Sequence, residues 1–400
     1  MFTRRNFLKL VAASLGSAVA TACGRAVSTS TPTPDVAPTH LPPTAAPSIA
    51  PTATPTLAPS PTPTAAPSIT ATPSAPELVT IRGDQFFFRG ARLPIKGFNY
   101  YPMRHPWRMF NIGEWDAQET ERELQLAARL GANVVRVFID YQASLGNPAI
   151  SFQFYYSPSS QYIANVQEFL GIAARLDLKV IVTLFDGMDW GIYQPANQWI
   201  AEEYLKEFLP AFVGDPRILG WDLQNEPDRA ISIVGAETVI PFFRRVSAQI
   251  RALDPQHLQT IGWIDRARGK YFAALDDDLD FWCFHFYDKI ENLGGLFQFY
   301  KSTTTKPVLL EEFGLATGGP GFDGAHTELD QMLHYSSVFA LLDGYQMCGS
   351  VFWILTDFPK GLAGNPPIPG DSPENHYGVF RLDYSEKLVA SEIRYSWKPG

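Results

Sequence analysis

Two short stretches, Asn225-Glu226-Pro227 and Glu311-Glu312-Phe313, each close an apolar run that reads as a buried strand. An ionised carboxylate is costly to take out of water unless it is paired or used. Two such ends suit a reaction in which one carboxyl is protonated and the other ionised. Cleavage of a glycosidic bond asks for that division: an acid expels the leaving oxygen while a carboxylate attacks or stabilises the sugar carbon. In the second stretch, strand alternation separates the neighbours. If Val308 and Leu310 face a barrel interior, so does Glu312, and Glu311 points to the outer layer or a loop.

Other polar residues sit at the ends of apolar runs in the same way. Arg136 lies in NVVRVF, Asp186 follows KVIVTLF, and His285 and Tyr287 share one face of FWCFHFY. A tyrosine hydroxyl can hold an ionised carboxylate, and a histidine can hold or relay a proton. Arg136 adds a positive charge that keeps a neighbouring Glu ionised. Each residue alone reads more often as a satisfied structural partner; the weight lies in the set, taken in strand order.

The elements that would carry these groups are eight strand-like runs: 95–100, 133–138, 179–185, 218–224, 258–263, 281–287, 307–313 and 349–355. Amphipathic stretches such as Glu119 to Leu130 and Ala236 to Leu253 lie between them. Repeated βα units of this number predict an α/β fold, a (β/α)8 TIM barrel, with chemistry on the loops after the strands. A hairpin over 79–90, VTIRGDQFFFRG, is expected to close the barrel bottom. A doubly wound open sheet is the competing fold, but it usually carries a Gly-rich phosphate turn after its first strand. Here the first run leads into Tyr100-Tyr101-Pro102.

The rest of the chain divides into an address and a spacer. Thr3-Arg4-Arg5-Asn6-Phe7-Leu8-Lys9, followed by an apolar Leu10–Ala22, fits a twin-arginine export signal over residues 1–23, and Ala20-Thr21-Ala22 makes Cys23 a candidate lipid-modified N-terminus. Ordinary cleavage and free secretion is the alternative. Residues 24–76 read as a linker, and Thr31 to Pro76 holds 14 of the 33 prolines and repeats TAAPSI, so it is too poor in apolar surface to fold. Extended at about 3.1 Å per residue, it reaches on the order of 150 Å. Glu77 to Gly400 is left as one catalytic domain. The net charge of −9, without a long basic run beyond the start, disfavours nucleic acid as a partner. Cys283 and Cys348, both in apolar runs, read as buried thiols.

Taken together, the sequence resembles a clan A retaining glycoside hydrolase of the family 5 type, from Leu93 to about Trp397. The motifs are Gly97-Phe98-Asn99-Tyr100, Asn133-Val134-Val135-Arg136, Trp221 through Asn225-Glu226-Pro227, His285-Phe286-Tyr287, Glu312-Phe313-Gly314 and Trp353. The resemblance implies Glu226 as acid/base and Glu312 as nucleophile, with Asn225 on the sugar 2-hydroxyl. It implies Arg136 and Tyr287 as supports of the nucleophile, His285 in proton handling, and Trp353 as the floor beneath the sugar. It implies a polysaccharide or oligosaccharide substrate and no cofactor or metal. Many cellulases of the family end their third strand in His; this chain has Leu184-Phe185-Asp186-Gly187, which favours β-mannan. Asp186, Trp190, Trp107, Trp115, Trp199 and Trp263 are placed to touch sugar or to pack loops. A silent carbohydrate-binding barrel and a transglycosylase are the rival readings.

Overall fold

The computed structural model describes residues 77–398, apart from 142–157, 187, 189, 265–268 and 320–325. The export signal, Cys23 and the linker through residue 76 lie outside the described residues.

Three short strands come first: β1 (Thr80–Arg82), β2 (Gln85–Phe88) and β3 (Ala91–Arg92). They form an antiparallel sheet in that order. The expected hairpin gains its third strand at Arg89-Gly90, where both residues take positive φ (53° and 77°) and reverse the chain. Phe86 and Val79 leave this sheet to pack with Ile95, Val134, Ile181, Leu219, Leu309 and Val351. Phe86 also meets Phe281 edge-on at 5.1 Å between ring centres. The sheet therefore plugs the end of the barrel where the strands begin.

The barrel strands are β4 (Ile95–Asn99), β5 (Val134–Asp140), β6 (Lys179–Asp186), β7 (Ile218–Asn225), β8 (Leu258–Trp263), β9 (Trp282–Phe286), β10 (Val308–Phe313) and β11 (Gly349–Phe352). All pair in parallel, and the ring closes β10-β11-β4-β5-β6-β7-β8-β9. Each of the eight runs read from the sequence is one of them. Strands covered on both faces need apolar side chains on both, which is why they stand out as unbroken runs rather than alternations.

The helices are α1 (Ala117–Leu130), α2 (Ser160–Arg175), α3 (Trp199–Phe208), α4 (Asp228–Val234), α5 (Ala236–Leu253), α6 (Lys270–Ala274), α7 (Leu293–Thr303), α8 (Glu328–Gly344) and α9 (Val389–Ser396). Helix α1 shows how sequence sets their limits. The Asp116 side chain accepts from the amides of Gln118 and Glu119 at its start. Gly131, at φ 94°, ends it by donating to the carbonyls of Ala127 and Ala128. Leu124, Ala127 and Leu130 form its buried face.

Pairing is interrupted near the C-terminal end of three strands: between Phe138 and Asp140, between Asp222 and Asn225, and between Leu310 and Glu312. The last of these corrects the alternation argument. Leu309 pairs with Cys283 and packs inside the barrel, while Leu310 pairs with Phe284, whose ring lies against Phe297 of α7. Val308 and Leu310 thus face the helices, and Glu311 faces inward. Glu312 follows it inward because Glu311 is an extra residue on β10: Leu310 pairs with Phe284, and Glu312 with the very next residue, His285. Two residues opposite one is the signature of a β-bulge, which turns successive side chains to one side.

Candidate active site

Glu226 follows the last residue of β7, and its amide donates to the Gly262 carbonyl at 2.8 Å. Its φ of 47° is unusual for a residue with a side chain, and such a conformation costs on the order of 1–3 kcal/mol. Proline at 227 and the start of α4 follow at once. Glu312 stands on β10, three strands round the ring from β7. One oxygen of each carboxylate and a ring nitrogen of His285 lie within 4.8 Å of one another.

His285, from β9, sits between them. Its Nδ1 is 3.1 Å from Glu226 Oε1 and 3.3 Å from Glu312 Oε2, and its Nε2 is 3.4 Å from Glu311 Oε2. Tyr287 donates its hydroxyl to Glu312 Oε2 at 3.0 Å. The other Glu312 oxygen accepts from Arg136 Nη1 at 2.7 Å. Arg136 has no exposed surface and spreads its remaining donors over Asp222 Oδ2 (2.6 and 3.1 Å), Asn225 Oδ1 (2.9 Å) and Asn99 Oδ1 (3.1 Å). Its Nε is also 3.3 Å from Glu311 Oε1.

A buried charge is tolerated only where partners surround it, and this cluster meets that condition at each member. Burial opposes a charge on the His285 ring, but Glu312, Glu226 and Glu311 push its pKa up to about 10. Burial raises the Glu311 carboxyl too, yet Arg136 and His285 outweigh it and hold the group below its ordinary value. At Glu312 burial wins, and the carboxyl lies above its ordinary value against the pull of His285 and Arg136. Asp222 rises to about 7, through burial and then repulsion from Glu311.

Of the residues singled out from the sequence, Glu226, Glu312, Arg136, Asn225, His285 and Tyr287 meet in this one cluster. Trp353 follows β11 as a buried ring, its Nε1 donating to Glu374 Oε2 at 3.3 Å. Asp186 ends β6 and accepts from the Tyr101 hydroxyl at 3.1 Å; the Tyr101 ring stacks on Phe138 and Trp107 beside Trp353. Trp190 opens a single turn, Trp190–Tyr193, and its side chain lies outside what is described. Trp263 is fully buried and stacks on Tyr271, so it packs the frame. Trp115 donates to Glu168, and Trp199 is exposed on α3. Cys283 and Cys348 are free and buried.

Three members were not anticipated: Asp222, Glu311 and Asn99. Asp222 had a signal in the sequence, as a lone acid between Trp221 and Leu223 in the middle of an apolar strand. Asn99 bridges strands by donating to the carbonyls of Glu311 (2.9 Å) and Phe352 (3.2 Å) while accepting from Arg136. Glu226, His285 and Glu312 are also residue types that can bind a divalent ion.

Comparison with known proteins bears on the family of the chain. The cellulase model (glycosyl hydrolase family 5) matches residues 94–354. A mannan endo-1,4-beta-mannosidase 1 of Arabidopsis thaliana is 21% identical over 356 residues, covering 71% of this chain and 83% of that protein. A mannan endo-1,4-beta-mannosidase 2 of Oryza sativa subsp. japonica is 24% identical over 386 residues, covering 78% and 84%. Among solved structures, the exo-beta-1,4-mannosidase Op5Man5 from Opitutaceae bacterium strain TAV5 superposes with a TM-score of 0.63 at 18% identity. That match covers 80% of this chain and 62% of the other, so the chain spans less than two thirds of that enzyme. With the family's model spanning most of the barrel and two acids facing each other across its open end, the chain belongs to glycoside hydrolase family 5, a family of retaining glycosidases.

Proposed function

We propose that this enzyme hydrolyses β-linked mannan or mannosides by double displacement, with Glu312 as nucleophile and Glu226 as acid/base. The observation that carries the reading is that one oxygen of Glu226 lies within 4.8 Å of one oxygen of Glu312. Retaining enzymes hold the pair about 5–5.5 Å apart, whereas inverting enzymes leave about 6.5–9.5 Å for a water between them. The division of roles follows the surroundings. Glu312, only 5% exposed, is gripped by Arg136 and Tyr287, which favour its ionised form. Glu226 is 18% exposed and is the one that can exchange a proton with water.

In the first step a Glu312 oxygen bonds to the anomeric carbon, the glycosidic C–O bond breaks, and Glu226 gives its proton to the leaving oxygen. In the second, Glu226 takes a proton from water, the oxygen of that water replaces Glu312 on the carbon, and the β configuration is restored. Asn225 is assigned to the sugar 2-hydroxyl and Trp353 to the ring face. Mannan is favoured over cellulose by the two plant mannosidases among the relatives and by Asp186 where many cellulases carry His.

The test is a panel of mannan, cellulose, xylan, β-1,3-glucan and aryl glycosides, with the first product followed by proton NMR. Sugar released from mannan as the β-anomer is expected. Activity confined to cellulose would replace the substrate and keep the mechanism; an α-anomer as first product would reject the double displacement. Binding without release would favour the silent barrel. Action on a polymer outside the cell also fits the export signal and linker read from residues 1–76. Cys23→Ser should move the protein out of the membrane fraction if that thiol carries lipid, and an unchanged distribution would reject the anchor.

A further inference from the structure

Glu311, the residue before the nucleophile, has no place in the mechanism above, yet the barrel is built around it. It is fully buried and faces inward, on the same side of the β10 bulge as Glu312. Strand β8 makes room for it by carrying glycine at 262: a Cβ there would lie 2.4 Å from Glu311 Oε2, 2.8 Å from His285 Nε2 and 2.9 Å from Arg136 Nη2.

We propose that Glu311 is a positioning residue that anchors His285 by Nε2, so that the hydrogen on Nδ1 can pass from Glu312 to Glu226 as negative charge moves between them. This rests on the roles given above to Glu226 and Glu312.

Each ring nitrogen of His285 faces carboxylate oxygen: Nε2 faces Glu311, and Nδ1 faces both Glu226 and Glu312. With Glu226 holding the proton it later gives up, a lone pair on Nδ1 would still face the ionised Glu312 at 3.3 Å, and one on Nε2 would face Glu311 at 3.4 Å, so the arrangement fits a ring with hydrogen on both nitrogens. Other charges bear on it. Arg136 on β5 opposes the ring's charge, and Asp228 on α4 attracts it. The Cys283 thiol on β9 donates to Glu311, and the Tyr287 hydroxyl shares Glu312 with the ring.

During glycosylation Glu312 loses its charge to the new bond, and Glu226 gains one by giving up its proton. The total charge of the cluster is unchanged. Because Nδ1 is within reach of both acids, its hydrogen needs only a new acceptor while Glu311 holds the ring still.

Nitrogen-15 NMR of the histidine-labelled protein, with His285 identified against a His285→Asn sample, reads the ring directly. Both nitrogens should carry hydrogen at pH 7. In Glu311→Gln the same nitrogen signals should show the ring losing its second proton about one pH unit or more lower than in the parent. Its kcat should drop on the order of 10²-fold with KM little changed. A singly protonated ring in the unaltered protein overturns the proposal, a result that stands even where Glu311→Gln does not fold. So does a folded Glu311→Gln whose ring keeps its second proton to the same pH as the parent. Activity surviving in Glu312→Ala would instead reject the catalytic roles, whatever the ring carries.

Discussion

Glu226 and Glu312 share a single hydrogen-bonding atom: His285 Nδ1 lies 3.1 Å from one carboxylate and 3.3 Å from the other. Their residues come from β7 and β10, strands that do not pair with each other. The bulge on β10 and the interrupted pairing after Asp222 on β7 both fall just below the point of approach. Irregular strand ends are therefore what bring two repelling groups together, and Arg136 and His285 supply the positive charge that makes this tolerable.

The two acids should fail differently when removed. Glu312→Ala lacks the atom that bonds to carbon, so turnover of every substrate should vanish. Added azide should restore some turnover and yield the α-glycosyl azide. Glu226→Ala keeps the nucleophile, so aryl glycosides with good leaving groups should still react in the first step while polysaccharide does not. Azide should then give the β-glycosyl azide. Product stereochemistry by NMR separates the two, and the same azide anomer from both variants would reject the division of roles.

Tyr287→Phe removes one donor from an ionised acceptor, leaving Arg136 and His285 in place. A hydrogen bond to a charged group is worth about 1.5–3 kcal/mol, so kcat should drop roughly 10- to 100-fold. The fold should persist, since the hydroxyl serves Glu312 rather than the core. Steady-state kinetics on an aryl glycoside measures this; a variant as active as the parent would mean that Arg136 and His285 suffice to orient the nucleophile.

The frame was legible in the sequence because its rule is local. A strand covered on both faces must be apolar along its length, and α5 spans the Ala236–Leu253 expected from periodicity. The two facing acids were legible because a carboxylate at the tip of such a strand has few other reasons to be there. Glu311 was misplaced because side-chain direction on β10 depends on its pairing with β9, and a two-for-one pairing leaves no mark in either strand alone. Asp222 was passed over for a related reason. Its partners Arg136, Thr183 and the Gly262 amide come from three other strands, brought together only when the ring closes.

Stability should decline as pH rises from mildly acidic to alkaline. Burial raises Glu123 to about 8 and Asp222 to about 7, and the carboxylates around His285 raise it to about 10. Each of these groups binds its proton more tightly folded than unfolded. Their contribution is full below the unfolded values, about 4 for the carboxyls and about 6.5 for His, and is lost as pH climbs through the folded ones. Asp215 and Asp254 are shifted downward: burial opposes this, but hydrogen bonds from Arg217 to the first and His257 to the second prevail, which costs stability only at lower pH. Tm by scanning calorimetry should fall on the order of 5–10 °C between pH 5 and pH 9. A flat or rising Tm would mean that the buried acids ionise without penalty.

Gly262→Ala tests whether the charged cluster is as close-packed as its distances imply. The glycine touches the site three ways: its amide donates to Asp222 Oδ1 at 3.0 Å, its carbonyl accepts from Glu226, and its bare α-carbon faces Glu311, His285 and Arg136. One added methyl must displace at least one of those side-chain ends, and each is held by a partner of opposite charge. Overpacking a core usually costs about 1–3 kcal/mol, and here the displaced atoms also hold His285 and Glu312 in register. Loss of activity should therefore exceed loss of stability: kcat should fall by more than about 10²-fold, because small misplacements of reacting groups carry penalties of that size. Thermal melts and kinetics on one sample decide it. A Gly262→Ala enzyme with the parent's Tm and kcat would show slack around Glu311, and a ring held in slack could not hand one hydrogen cleanly between two acids.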